Sequence, residues 1–120
     1  MVSLKTKEEA TILFHMSIMR KSVKKGFKKT YGKEGKQHLK TFDDIHSTFK
    51  SQVEIDGLEQ TEYYFDQEEI VLLLNFIDWY IPELEKSLKA SGGVSEEDQQ
   101  QITALMDIYN KLVQDKEEND

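Results

Sequence analysis

Ile70, Leu74, Ile77, Ile81, Leu84 and Leu88 step by four, three, four, three and four residues. That spacing lines one face of an α-helix, whereas a strand would repeat every second residue. The start of this helix is written just before it. Asp66 and Glu69 have capping-box spacing, in which each side chain satisfies a free backbone N–H of the first turn. Phe65 and Ile70 stand at the hydrophobic-staple positions around that box. Leu73, Phe76 and Tyr80 broaden the face, while Val71, Leu72 and Trp79 point partly elsewhere. A helix apolar on so many sides is buried centrally or against another chain, so the pattern predicts self-association through it. Pro82 has no N–H to give the carbonyl of Asp78, which predicts a kink or a break and restart.

Three further helices follow from the same spacing. The first starts at Thr6, with Glu9 as its capping-box partner, and runs to about Tyr31. Ile12, Met16, Met19, Val23 and Phe27 form its stripe, widened by Leu13 and Phe14. Gly32 and Gly35 end it as cap and turn. The second carries Leu39, Phe42, Ile45 and Phe49 and begins either at Thr41, with Asp44, or nearer Glu34. The fourth follows Gly92 and Gly93, is capped by Ser95, and carries Ile102, Leu105, Met106, Tyr109, Leu112 and Val113. Residues 115–120 are polar and acidic, and are expected to fray. Residues 50–65 allow two readings. Val53 and Ile55 alternate with polar residues, and Asp56-Gly57 is a hairpin-type turn pair. The other reading is an ordered loop that packs its aromatics on the helices. The fold expected is all-α: an antiparallel bundle of about four helices in a single domain, 1–120, with a short β-hairpin or ordered loop at 50–65.

Composition removes several classes of function. The chain has no cysteine, which excludes disulfide scaffolds, thiolate nucleophiles and Cys-ligated metal centres. No secretory leader is legible at the N-terminus, and the most apolar run, Ile70 to Ile81, is too short for a bilayer span. A cytoplasmic chain that does not enter the membrane is expected. The net charge of −7 conceals two opposite halves. Residues 1–50 hold 12 Lys/Arg against 5 Asp/Glu, and residues 51–120 hold 4 against 18.

The basic excess is concentrated between Arg20 and Lys40. On a helix, Lys21, Lys24, Lys25, Lys28 and Lys29 lie opposite Met16, Met19, Val23 and Phe27 and make a continuous ridge. Either the ridge is offset within the fold by the acidic later helices, or it binds phosphates or an acidic partner. A nucleic-acid regulator using the Arg20–Lys40 face is the alternative function. Against it stand the acidic whole and the presence of one Arg only for bidentate base contacts. Phe27 and Tyr31 lie within the segment, but their spacing assigns them to the core.

Other chemistry is sparse. Glu34 with His38, and Asp43 with His46, have spacings that share a helix face, yet such pairs are common by chance and no metal site is assigned. His15 borders the apolar stripe of the first helix as a core-edge residue. No nucleophile elbow, phosphate loop or calcium loop occurs, so no catalytic residue and no cofactor is expected. Tyr63, Tyr64, Phe76, Trp79 and Tyr80 form an aromatic group that either staples a loop to the core or anchors a protein partner. The expected function is a small non-enzymatic protein-interaction or regulatory module, a homodimer through its third helix.

Overall fold

In a computed structural model, which describes residues 1–55 and 59–118, the chain is all-α with one short two-stranded antiparallel sheet. The elements in order are β1 (Val2–Lys5), α1 (Thr6–Tyr31), a one-turn 3₁₀ segment (Gly32–Glu34), α2 (Gly35–Val53), β2 (Gln60–Tyr63), α3 (Gln67–Ala90) and α4 (Glu96–Glu118). They fall into two compact units. One comprises Lys5–Thr61, the other Met1–Leu4 with Glu62–Asp120.

The first unit is a helical hairpin of α1 and α2. α1 has the expected length, but its cap is displaced by one residue. Lys5 keeps the extended backbone of β1, and its N–H donates to the Glu8 carboxylate at 2.8 Å. Lysine has no acceptor with which to return the bond, so half of the box forms. Thr6 instead sends its N–H and its hydroxyl to the carbonyl of Glu59, at 3.2 and 3.3 Å. Glu9, released from capping, is buried. Ile12, Met16 and Val23 are buried on α1, and Phe42, Ile45 and Phe49 on α2. Phe14 departs from the expected stripe and is 54% exposed. The connection is so tight that α2 begins at Gly35, the earlier of its two expected starts. Thr41 lies inside the helix and donates its hydroxyl to the Gln37 carbonyl. Gly35 is required by close approach. A Cβ there would stand 2.8 Å from the Phe27 carbonyl oxygen.

The second unit pairs α3 with α4. α3 begins as its sequence dictates: the Glu69 N–H donates to Asp66 Oδ1 at 2.8 Å, and the Asp66 N–H to Glu69 Oε1 at 3.0 Å. The buried face is Ile70, Leu73 and Ile77 together with Leu72, Phe76 and Tyr80. Leu72 is therefore a core residue, and the buried arc is rotated toward the aromatics, away from Leu74, Ile81, Leu84 and Leu88. α3 runs through Pro82 as one element, without the break and restart that proline suggested. Asp78 and Pro82 are both exposed, so water can serve the carbonyl that the proline ring leaves without a donor. Gly92 and Gly93 take φ of 119° and 120°, values an L side chain rarely adopts, and the Gly93 N–H returns to the Leu88 carbonyl. Ser95 and Asp98 then cap α4 reciprocally.

Two points at the ends of elements depend on contacts distant in sequence. Of the two readings for residues 50–65, the local hairpin does not form among the described residues. Val53 ends α2, and β2 pairs with the N-terminal β1, because a strand needs a ladder partner and Val2–Lys5 supplies it. The expected turn at Asp56-Gly57 lies outside the described residues. The acidic tail stays helical through Glu118. Asp115 is buried there and holds the Met1 ammonium, while Lys111 Nζ donates to the Ser3 carbonyl at 3.0 Å. Those two bonds fasten the N-terminal segment to the last turns of α4.

Candidate functional site

The outward face of α1 carries five closely spaced cations. Lys21, Lys24, Lys25, Lys28 and Lys29 are all exposed. Among the described residues none of the five has an ion-pair or hydrogen-bond partner. The same face continues toward the helix N-terminus as apolar surface. Phe14 and Ile18 are 54% and 53% exposed, and Phe14, Ile18, Lys21, Lys25 and Lys28 step by four, three or four residues along one row. The row places two hydrophobic anchors beside a cationic strip. Sequence spacing hid this arrangement, since it gave Phe14 to the core and left Ile18 unassigned.

Arg20 is not part of that row. Its guanidinium faces α2 and grips both oxygens of Asp43, Nε to Oδ1 and Nη2 to Oδ2, each at 2.8 Å. The hydrogen bond to Asp43 raises Arg20 above its ordinary value, and the same bond holds the Asp43 carboxyl below the usual carboxylate range.

Beside this pair, Ser17 Oγ lies 2.7 Å from His46 Nε2. A serine on a histidine with an aspartate nearby invites comparison with a nucleophile–base pair. Three features oppose it. Ser17 Oγ is also 2.9 Å from the Leu13 carbonyl, which claims its one proton and leaves the hydroxyl to accept from His46. Asp43 is committed to Arg20 and does not orient the imidazole. Ser17 sits in mid-helix, where backbone N–H groups are consumed by the helix and none is spare for an oxyanion. Arg20, Asp43, Ser17 and His46 together form a polar clamp between α1 and α2.

The other singled-out residues are scattered. His15 is buried, with its ring edge-on to Phe14. His38 lies against Tyr31, ring centroids 4.0 Å apart, and near Phe27 at 5.8 Å. Tyr31 is partly exposed, so it is not the core residue its spacing implied. Among the described residues no three His, Asp or Glu side chains converge as metal ligands. The aromatic group divides. Phe76, Tyr80 and Tyr63 are buried, Phe76 and Tyr80 stacked at 5.5 Å, and burial raises the Tyr80 phenol above its ordinary range. Trp79 and Tyr64, 45% and 77% exposed, are the two that remain open to solvent. Among the described residues no helix is long and apolar enough to cross a membrane.

Comparison with protein-family models, with curated proteins and with solved structures gives no match for this chain.

Proposed function

We propose that the chain is a non-enzymatic protein-interaction module that docks an acidic partner on the outward face of α1. One observation carries this reading: exposed Phe14 and Ile18 run directly into five lysines that have no carboxylate partner among the described residues. Interfaces draw affinity from apolar anchors and orientation from complementary charge, and this row offers both. A nucleic-acid reader fits less well. The single arginine is spent on Asp43, and the net charge of −7 opposes a polyanion. Trp79 and Tyr64 are the aromatic contact points this reading adds on the other unit. A cysteine-free chain of this kind suits the reducing cytoplasm, where we place it.

The test uses a synthetic acidic helix with leucines along one edge, and a DNA duplex, each followed by fluorescence anisotropy. The acidic helix is expected to bind and to lose at least tenfold in affinity with Phe14→Ser/Ile18→Ser. Replacing the five lysines by Gln should cost at least as much and flatten the salt dependence. A duplex bound more tightly, and indifferent to Phe14 and Ile18, would install the nucleic-acid regulator instead. Binding of neither probe ends both readings.

A further inference from the structure

We infer that the acidic partner of the α1 face is a second copy of this chain, presenting the outward face of its α4; the inference rests on the interaction reading above. Charge complementarity is built into each copy. The unit Lys5–Thr61 carries 12 Lys/Arg against 8 Asp/Glu, and the remainder of the chain carries 4 against 15. Every molecule therefore holds both halves of a complementary pair.

The outward face of α4 is polar with carboxylates set at intervals. Glu96, Asp107, Glu117 and Glu118 are exposed along it, separated by exposed Gln99, Thr103, Asn110 and Gln114, and Met106 is 50% exposed. Methionine adapts its shape to varied apolar neighbours, so Met106 can seat against Phe14 and Ile18 while Asp107, Glu117 and Glu118 lie on the lysine side. The lengths agree. Ile18 to Lys29 covers about 16 Å at 1.5 Å per residue, and Met106 to Glu118 about 18 Å. Net charge does not forbid the contact. Two copies of −7 repel at long range, but at physiological ionic strength that repulsion is screened beyond roughly 8 Å. Facing Lys and Glu side chains approach far closer than that.

Light scattering on the full chain at high concentration tests the inference. At about 0.15 M salt the mass is expected to exceed 14.0 kDa. At 1 M salt, which reduces the screening length to about 3 Å, it should return to the monomer. Two charge-reversed variants then locate the contact: Lys21→Glu/Lys25→Glu/Lys28→Glu, and Asp107→Lys/Glu117→Lys/Glu118→Lys. Each alone is expected to be monomeric with unchanged helicity by circular dichroism. Mixed in equal amounts they should associate, because the reversed faces complement one another in trans. Wild-type protein that stays at 14.0 kDa at every salt and concentration overturns the inference. So does a wild-type oligomer that either reversed variant still forms. If the synthetic acidic helix binds α1 in either case, docking of an acidic partner stands and only its identity as a second copy is lost.

Discussion

Arg20 on α1 holds Asp43 on α2 in a two-pronged grip, with both bonds at 2.8 Å. A planar guanidinium matched to a planar carboxylate fixes the rotation of one helix against the other as well as their spacing. The grip also withdraws the one arginine from the lysine row, which leaves that row to ammonium groups alone. Ammonium groups act as point charges that meet carboxylates and phosphates alike, while the planar fork best matched to two-pronged contacts is occupied by Asp43.

The first prediction concerns pH. The Arg20 hydrogen bond depresses Asp43 in the folded chain against the opposing effect of its partial burial, and the charge of Arg20 adds to the lowering. Its stabilising contribution is complete above the ordinary carboxylate range and is lost as pH falls through the lowered folded value. Both partners are substantially exposed, so the effect on global stability is small. The expected result is local: Arg20→Gln moves the Asp43 midpoint upward in a carbon-detected NMR titration. A midpoint that does not move refutes the grip.

Two glycines should respond to alanine with opposite signs. Gly26 is exposed inside α1, and a Cβ there meets nothing within 4 Å. Gly26→Ala should stabilise by about 0.5–1 kcal/mol, the difference in helix propensity. Gly35→Ala forces a Cβ to 2.8 Å from the Phe27 carbonyl oxygen, a backbone atom that cannot swing aside. A cost of about 1–3 kcal/mol is expected, as for overpacking elsewhere. Urea denaturation of both variants checks the pair, and equal signs would refute the tight turn.

The caps supply a third prediction. Asp66→Ala removes one half of a reciprocal box and should cost about 1 kcal/mol. Asp66→Asn keeps an acceptor for the Glu69 N–H and should recover most of that loss. Melting curves that do not separate Asp66→Ala from the wild type would show that tertiary packing, rather than the cap, fixes the start of α3.

What the sequence made legible follows the range of each interaction. α1 ran from Thr6 to Tyr31 as expected, and Asp66 and Ser95 capped as expected, because their causes lie within four residues. The pairing of β1 with β2 joins segments more than fifty residues apart, and no local signal announces it. Alternation at 53–55 was misleading because α2 simply continued to Val53. The helical tail was hidden for the same reason: its anchor, Met1 on Asp115, joins the two ends of the chain. At the candidate site the five lysines were legible as a ridge. Their lack of partners among the described residues and the exposure of Phe14 and Ile18 were not, since periodicity gives the faces of a helix without telling which face its neighbours cover.

Trp79 gives the last prediction, and it separates two kinds of aromatic on one helix. Phe76 and Trp79 are three residues apart with ring centroids 6.5 Å apart, yet Phe76 is buried and Trp79 is half exposed. Phe76→Ala opens a cavity beside the stacked Tyr80 and should cost about 3–5 kcal/mol. Trp79→Ala removes a ring that water already reaches, and about 1–2 kcal/mol is expected from the area still covered. Because Trp79 is the only tryptophan, its emission reports this position alone. Acrylamide should quench it readily in the native chain. Two outcomes count against Trp79 as an exposed contact point: emission shielded from acrylamide in the native chain, or a stability loss equal to that of Phe76→Ala. Either would make it one more core ring, leaving Tyr64 as the sole exposed member of the aromatic group.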